Sequence, residues 1–554
     1  MHDETQNTSP SDEDIKNLRH VVDDLPITVW IASFVGAAER FTFYGLTAPW
    51  QNYMQNALDA RGAPGALGLG QSRATIIYYA FFFLSYISPV AFAIISDSWL
   101  GCYKTLWLGL VLYICGCLIL TLTSLPVALH AGAGVGGFAV AAVLIAFGVG
   151  GVKSTVSPFI GKFFTFLLAS LQPKIKITRK GERVITDRSM TIQYIYNAYY
   201  WIVNIVSLSS IATTYLEKER GFWAAYLLPT SFLAVAVALM LIGHSKFVKP
   251  PPQSRVLQNA SKVLAYAIKN RFRLETAEPS YQLERHGRVV SWDSHFVAEI
   301  RRGLVACKVL VGFIFFYLCF NQIQNNLVSQ AAQMQRDGVP NDAIYSLNAA
   351  ACIVLAPIMQ QLLYPYLSNR RIHFRPVARI TVGFICTAGG MAIAAGVQKI
   401  IYNAGPCYRF PLACPASDSG TKPNTVSVWA QTPVYVILAP AEIFASVTAS
   451  EYAYSKAPKS MKVVVQAISL LTTGIGQALG LAMSPAAKDP NMVGLYSGLA
   501  GAMATVTAIF WFCFRKYDTR DAEMDALDAK KELGTELHVM RTPKPEELEA
   551  AKAV

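Results

Sequence analysis

Long apolar segments recur along this chain, each of the length that a helix needs to cross a lipid bilayer. The hydrocarbon layer is about 30 Å thick, which corresponds to about 20 helical residues. Because nothing in lipid can pair with an exposed backbone, such segments predict membrane-spanning helices. About twelve can be counted, centred near Phe41, Ala91, Tyr113, Ile145, Trp201, Ala234, Phe315, Leu355, Gly390, Leu438, Thr473 and Val506.

Charged residues are too scarce for a water-exposed surface, at 15% of the 554 residues, whereas soluble domains have about 25%. This excludes a soluble enzyme, a disordered protein and a disulfide scaffold, and predicts an all-α membrane protein. The net charge of +13 does not indicate a nucleic-acid partner, because the lysines and arginines lie between the apolar segments. That placement is typical of topology signals.

Basic residues are concentrated in alternate loops. The loop from Lys162 to Arg188 contains seven of them and the loop from Lys246 to Arg302 eleven; both follow even-numbered segments. Since cytosolic loops carry the excess of lysine and arginine, both termini are predicted to be cytosolic. Residues 1–25 are acidic and polar, so we expect no cleavable signal peptide, and the first apolar segment should serve as the insertion signal.

The longest loop divides the segments into two sets of six. In its linker, residues 255–270 place apolar side chains on one face, which predicts a basic amphipathic helix on the inner leaflet; a solvated linker helix is the alternative. Two bundles around a central loop are typical of secondary transporters, with substrate between them. The predicted parts are a cytosolic tail (1–25), an N-terminal six-helix bundle (26–243), the basic linker (244–303), a C-terminal six-helix bundle (304–515) and a second cytosolic tail (516–554).

Four charged residues lie inside predicted spans, where a charge costs about 2.5–3.5 kcal/mol. Glu39 and Arg40 are neighbours in span one, Lys153 is in span four and Glu442 is in span ten. Lys153 needs an anion, either Glu39 or a bound carboxylate, and Glu442 either carries a proton or meets a substrate amine. The structural alternatives are an ion pair between helices and, for Lys153, snorkelling to the inner face of the membrane.

Amide and hydroxyl groups extend this polar set in both halves. One such group usually stabilises helix packing, but stripes in both halves predict a hydrated central cavity, with Gln322 as a candidate binding residue. The stripes are Tyr200, Asn204 and Ser207 in span five, Asn321, Gln322, Asn325 and Gln330 in span seven, and Asn348 at the start of span eight.

Several kinds of site have no sequence signal. All eight histidines fall in tails, loops or span ends, no Cys/His cluster has the spacing of a metal site, and no P-loop or paired hydrolytic carboxylates occur. We therefore expect no metal, no cofactor and no enzyme activity, and an ion gradient as the energy source. Cys407 and Cys414 lie in a proline-flanked loop predicted to be extracellular, where an oxidising environment favours a disulfide between them.

The chain resembles the proton-dependent oligopeptide transporter family of the major facilitator superfamily, through motifs that occur in order between about residues 28 and 515. The motif NNLVSQAAQM, after span seven, resembles fungal members of the family in particular. The motifs are ERFTFYG (ExxERFxYY), DSWLGCYKT in the loop after span two, GVGGVK (GTGGIKP), YYWIVNIVSL (FYxxINxGSL), AEIFASVTASEYAYSKAP in span ten and NNLVSQAAQM after span seven.

This resemblance implies proton-coupled symport of di- and tripeptides by alternating access, at the plasma membrane of a fungal cell. It implies that Arg40 and Lys153 contact the peptide carboxylate and that Glu442 contacts its amino group. Further pocket residues are implied at Tyr44, Tyr86, Asn204 and Asn348, and proton coupling at Glu39, Arg40, Lys153 and Glu442.

The sequence departs from the family pattern at several positions. Gly36 stands where the first Glu of ExxER belongs, which leaves Glu39 and Glu442 as possible proton carriers; Phe43 replaces a Tyr, and Cys102 a basic residue. Residues 163–171 are apolar and are expected to form an interfacial segment. The alternatives are a same-fold transporter of another small anion or metabolite, uncoupled peptide transport, a peptide sensor without flux and, third, a membrane enzyme.

Overall fold

The structure is a computed structural model of the chain, and every structural statement below refers to the residues it describes. These are 18–21, 27–169, 175–177, 183–186, 202, 205–244, 256–271, 273–370, 374–418, 420–449, 452 and 462–515.

Six long helices make up the first half. The short helices Trp50–Gln55 and Pro126–His130 lie in loops, and a π-helical turn, Ser96–Leu100, leads from the second long helix into the third. The long helices are α1 (Ile27–Thr47), α2 (Gln71–Ile95), α3 (Gly101–Thr123), α4 (Gly134–Ala169), α5 (Ser209–Arg220) and α6 (Phe222–Ile242).

Six further spans make up the second half, and three of them are interrupted. Pro357 and Pro440 come shortly before the π-helical turns Met359–Leu363 and Ile443–Val447; proline removes a backbone donor, which favours such irregular turns. The spans are α7 (Phe313–Phe320 and Asn326–Ala332, joined by the 3₁₀ turn Asn321–Gln324), α8 (Ser346–Ile358, continued by Tyr364–Asn369), α9 (Pro376–Asn403), α10 (Thr432–Glu442), α11 (Lys462–Met483) and α12 (Met492–Phe514).

Helix length and composition agree with a multi-pass membrane protein. Among the described residues, eight helical stretches can cross a bilayer, or nine if Ser294–Leu304 and Lys308–Ala332 form one bent span. One stretch, Gln71–Thr123, contains both α2 and α3. When these two helices are counted separately and α1 and α5 are added, the helices are consistent with about twelve spans. Eleven predicted span centres fall within α1–α12, and the twelfth, Trp201, lies outside the described residues.

Each half has its own apolar core. In the first half, Leu46, Trp50 and Tyr226 are fully buried in one cluster, and in the second half Phe384 and Leu438 are buried in another. Each bundle therefore buries apolar side chains of its own.

Helix α4 bears on the expectation for residues 163–171. The chain continues without a break from span four to Ala169 as one helix of 36 residues, which is about 54 Å long at 1.5 Å per residue. Residues 163–169, which contain no proline or glycine to end the helix, therefore continue span four directly instead of forming a separate element. A helix of this length extends beyond the hydrocarbon layer.

Short strands, which the sequence analysis does not predict, occur outside the bundles. β1 (Arg19–Val21), β2 (Ile175–Ile177) and β3 (Arg183–Thr186) form a sheet with β3 in the middle, parallel to β1 and antiparallel to β2. β4 (Met334–Gln335) pairs in parallel with β5 (Asn424–Ser427).

The linker contains the helices Val256–Lys269, Pro279–His286 and Ser294–Cys307 and the 3₁₀ turn Leu274–Ala277. The first is amphipathic, but the expectation that its apolar face lies on the inner leaflet is wrong. Ala260 and Val263 are fully buried in a cluster with residues of both halves. The apolar face is therefore covered by protein; its partners include Val90, Ala93 and Ile94 of α2, Trp292 and Val464 and Ala467 of α11.

A charge on this covered face should destabilise the protein. We expect Val263→Asp to lower the free energy of unfolding by about 2–4 kcal/mol, because it places a carboxylate where no partner is available. The neighbouring exposed residue Lys262 provides the control, and Lys262→Asp should leave stability within about 0.5 kcal/mol. Thermal unfolding of the purified proteins measures both; equal midpoints for the two variants would contradict the packing.

Candidate binding cavity between the two halves

A cavity of about 300 Å³ lies between the two halves. Its walls combine aromatic rings with polar and charged groups, as small-molecule sites commonly do. The first half contributes Arg40, Phe43, Tyr44, Phe82, Tyr86, Lys153 and Ser207, and the second half contributes Tyr317, Phe320, Asn321, Ile323, Gln324, Tyr345, Asn348, Ala349, Cys352, Glu442 and Ser446.

Arg40 brings a positive charge to the cavity from α1. Its Nε lies 2.8 Å from Oε2 of Glu39, which is buried while the Arg40 side chain remains a quarter exposed. Adjacent helical residues point about 100° apart, so Arg40 lines the cavity and Glu39 does not. Glu39 Oε1 is buried and has no hydrogen-bond partner among the described residues.

Lys153 brings a second positive charge from α4. Its Nζ lies 4.4 Å from the centre of the Phe43 ring and 4.9 Å from that of the Tyr86 ring. Both are within the range of cation–π attraction. The ammonium group thus lines the cavity rather than snorkelling to the membrane surface, and Phe43 supplies a ring face to it without the family's hydroxyl.

Glycines hold the Lys153 segment of α4 against its neighbours. A Cβ on Gly150 would lie 2.1 Å from Ser88 Oγ, and one on Gly151 would lie 2.8 Å from the Cα of Gly109. Such distances leave no room for a side chain. The glycine-rich sequence before Lys153 therefore permits close helix packing.

A side chain at Gly150 should disrupt this packing. We expect Gly150→Val to destabilise the protein by about 3 kcal/mol, because overpacking costs about 1–3 kcal/mol and the displaced Ser88 loses its 2.9 Å hydrogen bond to the Ala146 carbonyl. Gly136 lies on the same helix with open space around it, so Gly136→Val is the control. Size-exclusion profiles and melting temperatures measure the effect; similar behaviour of the two variants would contradict it.

Glu442 brings a negative charge from the end of α10. Its Oε2 accepts a hydrogen bond from Asn348 Nδ2 at 3.3 Å and a weaker one from Cys352 Sγ at 3.6 Å. Within the described part of the chain, no basic side chain forms an ion pair with it. The carboxylate is therefore held in place by neutral donors and is available to a cationic ligand.

Gln322, a predicted binding residue, does not line this cavity. Its Nε2 donates to Tyr79 Oη at 2.6 Å, and its Oε1 accepts from Asn326 Nδ2 at 2.7 Å. The reason is the 3₁₀ turn in α7, which has about three residues per turn. This period places Asn321 and Gln324 on the cavity side, whereas Gln322 points towards α2.

The other predicted residues divide into three groups. Tyr44, Tyr86 and Asn348 line the cavity. Gln330 instead bonds Gln398 at 2.8 Å within the second half. Asn325 is also away from the cavity: it caps the following helix. Tyr200 and Asn204 lie outside the described residues.

Sequence reasoning missed several cavity residues. Gln324 lies next to the predicted stripe and would have been found with a three-residue period. Tyr345 lies in a loop, and Ser446 lies in the π-helical turn after Glu442. Neither has a pattern in the sequence that separates it from an ordinary packing residue.

One end of the cavity, at the face opposite the linker helices, is closed by hydrogen bonds between the halves. We call this region the distal gate. Its bonds include Asn341 Nδ2 to Asn52 Oδ1 (2.7 Å), Tyr78 Oη to Gln324 Oε1 (2.6 Å), Thr75 Oγ1 to Asn326 Oδ1 (3.2 Å) and Ser72 Oγ to the Ser484 carbonyl (3.0 Å). Cys407 and Cys414 form a disulfide in the loop between α9 and α10.

The arrangement suits a small ligand with opposite charges at its two ends. Two cationic groups of the first half face the cavity, and one carboxylate of the second half faces it as well. Among the described residues, no group of three or more His, Cys, Asp or Glu side chains could hold a metal ion.

Comparisons with known proteins agree with this architecture. The sequence model of the POT family, PTR2, matches residues 103–507. The chain is 39% identical to Peptide transporter PTR_A of Candidozyma auris over 529 residues, covering 96% of this chain and 88% of the relative. It is 37% identical to Peptide transporter PTR2 of Saccharomyces cerevisiae over 540 residues, covering 98% and 87%.

Solved structures show the same fold. The crystal structure of the POT family transporter PepTSo superposes with a TM-score of 0.69 at 20% identity, covering 90% of this chain and 99% of that one. Together, the matched family model and the long alignments to curated relatives show that the chain belongs to the POT family of membrane transporters.

Proposed function

We propose that this protein is a secondary active transporter that imports di- and tripeptides together with protons by alternating access. The observation that carries the proposal is the cavity between the halves, where Arg40 and Lys153 line one side and Glu442 lines the other. Relatives named as peptide transporters align over nearly the whole chain, which supports the same substrate class here.

A zwitterionic peptide matches these charges end to end. Its carboxylate would bind Arg40 and Lys153, and its ammonium group would bind Glu442, which Asn348 holds in place. Because the two ends attach to different halves, binding would draw the halves together. That is the step which alternating access needs.

Selectivity among peptides would be broad. The charged groups recognise the termini that every short peptide has, while aromatic and amide groups line the rest of the cavity. Water can fill the space beside a small side chain and bridge its contacts at little cost.

The proton would be carried by carboxyl groups near the substrate. Glu442 binds the substrate amine in this scheme, and Glu39 is buried beside Arg40. Gly36, which stands in place of the first motif glutamate, lies on the same helix and has no side chain that could carry a proton. A proton moving inwards contributes about 2.3 kcal/mol per 100 mV of membrane potential.

The chain is a multi-pass membrane protein, and we place it in the plasma membrane with both termini in the cytosol. In that orientation the linker helices face the cytosol and the distal gate faces outwards. The arrangement described above is then the state closed to the outside.

Uptake of a labelled dipeptide into proteoliposomes tests the proposal. We expect uptake that an inward proton gradient stimulates and that a proton ionophore abolishes. Gradient-insensitive uptake would contradict proton coupling, and binding without uptake would contradict transport. Empty liposomes and an excess of unlabelled dipeptide provide the controls.

A further inference from the structure

The distal gate contains two buried carboxyl groups that come from different halves. Glu217 lies near the end of α5 and is 2% exposed, and Asp342 lies in the loop before α8 and is fully buried. Asn52 Nδ2 donates both to Glu217 Oε1 at 3.2 Å and to Asn341 Oδ1 at 3.0 Å, which places the Glu217 carboxyl group beside the segment that contains Asp342. Neither residue lines the cavity that contains Arg40, Lys153 and Glu442.

Most oxygens of this carboxyl pair lack a donor. Glu217 Oε1 accepts a 3.2 Å hydrogen bond from Asn52 Nδ2. Glu217 Oε2 and both side-chain oxygens of Asp342 are buried without a hydrogen-bond partner among the described residues. An oxygen buried in this way costs about 1–3 kcal/mol. A proton on one carboxyl group, donated to the other, would satisfy two of these three oxygens.

The surroundings favour one charge on the pair rather than two. Arg336 is the cation that faces Asp342. Lys218, on the Glu217 helix, donates to the Gly338 carbonyl. The other titratable groups that face the pair are the phenols of Tyr226 and Tyr345.

Two adjacent buried carboxyl groups rarely ionise together, because each charge repels the other and neither is solvated. Burial raises the pKa of Asp342, and Arg336 opposes that effect. One proton for the pair is the arrangement that satisfies both the hydrogen bonding and the single cation.

We propose that Glu217 and Asp342 share one proton and form a proton-operated latch of the distal gate. With the proton in place, the hydrogen bond joins α5 of the first half to the loop of the second half. Its loss leaves two repelling carboxylates, which draws in water and separates the halves. The inference rests on the proposed function for placing this gate on the outer side of the membrane.

The hydrogen bonds around Glu217 and Asp342 connect this pair to the rest of the distal gate. Asn52 and Asn341 exchange two hydrogen bonds across the same gate, at 2.7 and 3.0 Å, and Asn52 also bonds Glu217. Opening the gate must break the two Asn52–Asn341 hydrogen bonds together with the contact between Glu217 and Asp342. A change of charge at Glu217 and Asp342 therefore acts on the whole network.

Infrared difference spectroscopy of the purified full-length protein in detergent, without peptide, tests the shared proton. We expect the protonated-carboxyl band at neutral pH to be weaker in Glu217→Gln and in Asp342→Asn than in the wild type. Asp337→Asn is the matched control, since Asp337 is an exposed acid in the same loop, and it should keep the band. A band that is as strong in both gate variants as in the wild type, or is absent from the wild type, overturns the proposal.

The latch itself is tested by spin-label distances across the gate. The eight free cysteines are replaced, and labels are placed at the exposed positions Asp59 and Lys488. We expect the distance to lengthen between about pH 6 and about pH 9, the range in which buried carboxyl groups titrate. Asp337→Asn should behave like the wild type, and Glu217→Gln should stay at the short distance throughout.

A distance that does not depend on pH in the wild type overturns the latch, and so does a Glu217→Gln variant that follows the wild type. If Glu217→Gln does not fold, Asp342→Asn is measured in its place. Neither measurement uses peptide or transport. Failure of the uptake assay therefore contradicts the proposed function and leaves these two results to decide the latch.

Discussion

Replacing Arg40, Lys153 or Glu442 by alanine is expected to abolish peptide uptake while the protein still reaches the membrane. Each group would lose its charged partner on a substrate that is largely removed from water. Truncating one partner of such a pair costs about 2–5 kcal/mol, which at about 1.4 kcal/mol per factor of ten is at least about 30-fold. Uptake of labelled dipeptide into proteoliposomes, normalised to reconstituted protein, measures the effect.

Exposed residues of the same three types provide the controls. Arg409, Lys399 and Glu284 lie on the surface, so their alanine variants should transport like the wild type. Near-normal uptake by the alanine variant of Arg40, Lys153 or Glu442 would remove that residue from the substrate site. Melting temperatures of the purified variants separate loss of transport from loss of folding.

Blocking either end of the peptide is expected to weaken binding by a similar factor, and the loss should depend on one residue at each end. An N-acetylated dipeptide lacks the ammonium group, so it should compete at least about 30-fold less well against labelled dipeptide in the wild type. In Glu442→Gln the discrimination between free and acetylated peptide should largely disappear. This is because the variant already lacks the carboxylate that binds the ammonium group of the free peptide.

A C-terminally amidated dipeptide is the matched comparison. The discrimination between free and amidated dipeptide should persist in Glu442→Gln and diminish in Lys153→Gln. Competition or equilibrium binding in detergent measures all four combinations. If acetylation weakens peptide binding by the same factor in Glu442→Gln as in the wild type, Glu442 is not the partner of the amine.

The spans could be predicted because lipid imposes a simple demand. Any segment that crosses it must be apolar for about 20 residues, so length and composition alone locate α1–α4 and α6–α12. Length and composition do not predict the ends and breaks of the helices. The 3₁₀ turn at Asn321–Gln324 depends on local backbone hydrogen bonding, and assuming a regular helix there misplaced Gln322.

The charged site residues could be found for a related reason. A charge in lipid is costly, so Arg40, Lys153 and Glu442 stand out against the apolar residues that surround them in the sequence. Glu217 and Asp342 do not stand out, because each lies near the end of a span or in a loop where charges are common. Their burial and their approach to each other arise from the packing of the two halves.

The linker helix shows the same limit. Its apolar face is visible in the sequence, but an apolar face is satisfied equally well by lipid or by protein. Only the fold brings Val90 of α2 and Val464 of α11 onto that face.

The amino-acid sequence by itself determined the membrane-spanning architecture and the identity of the charges inside it, because both follow from the cost of polar groups in lipid at each position along the chain. The tertiary structure decided which of those charges meet in one cavity, which amides turn away from it, and which acids come together at the distal gate. These are contacts between residues far apart in the chain, and they depend on how whole helices pack rather than on any local pattern.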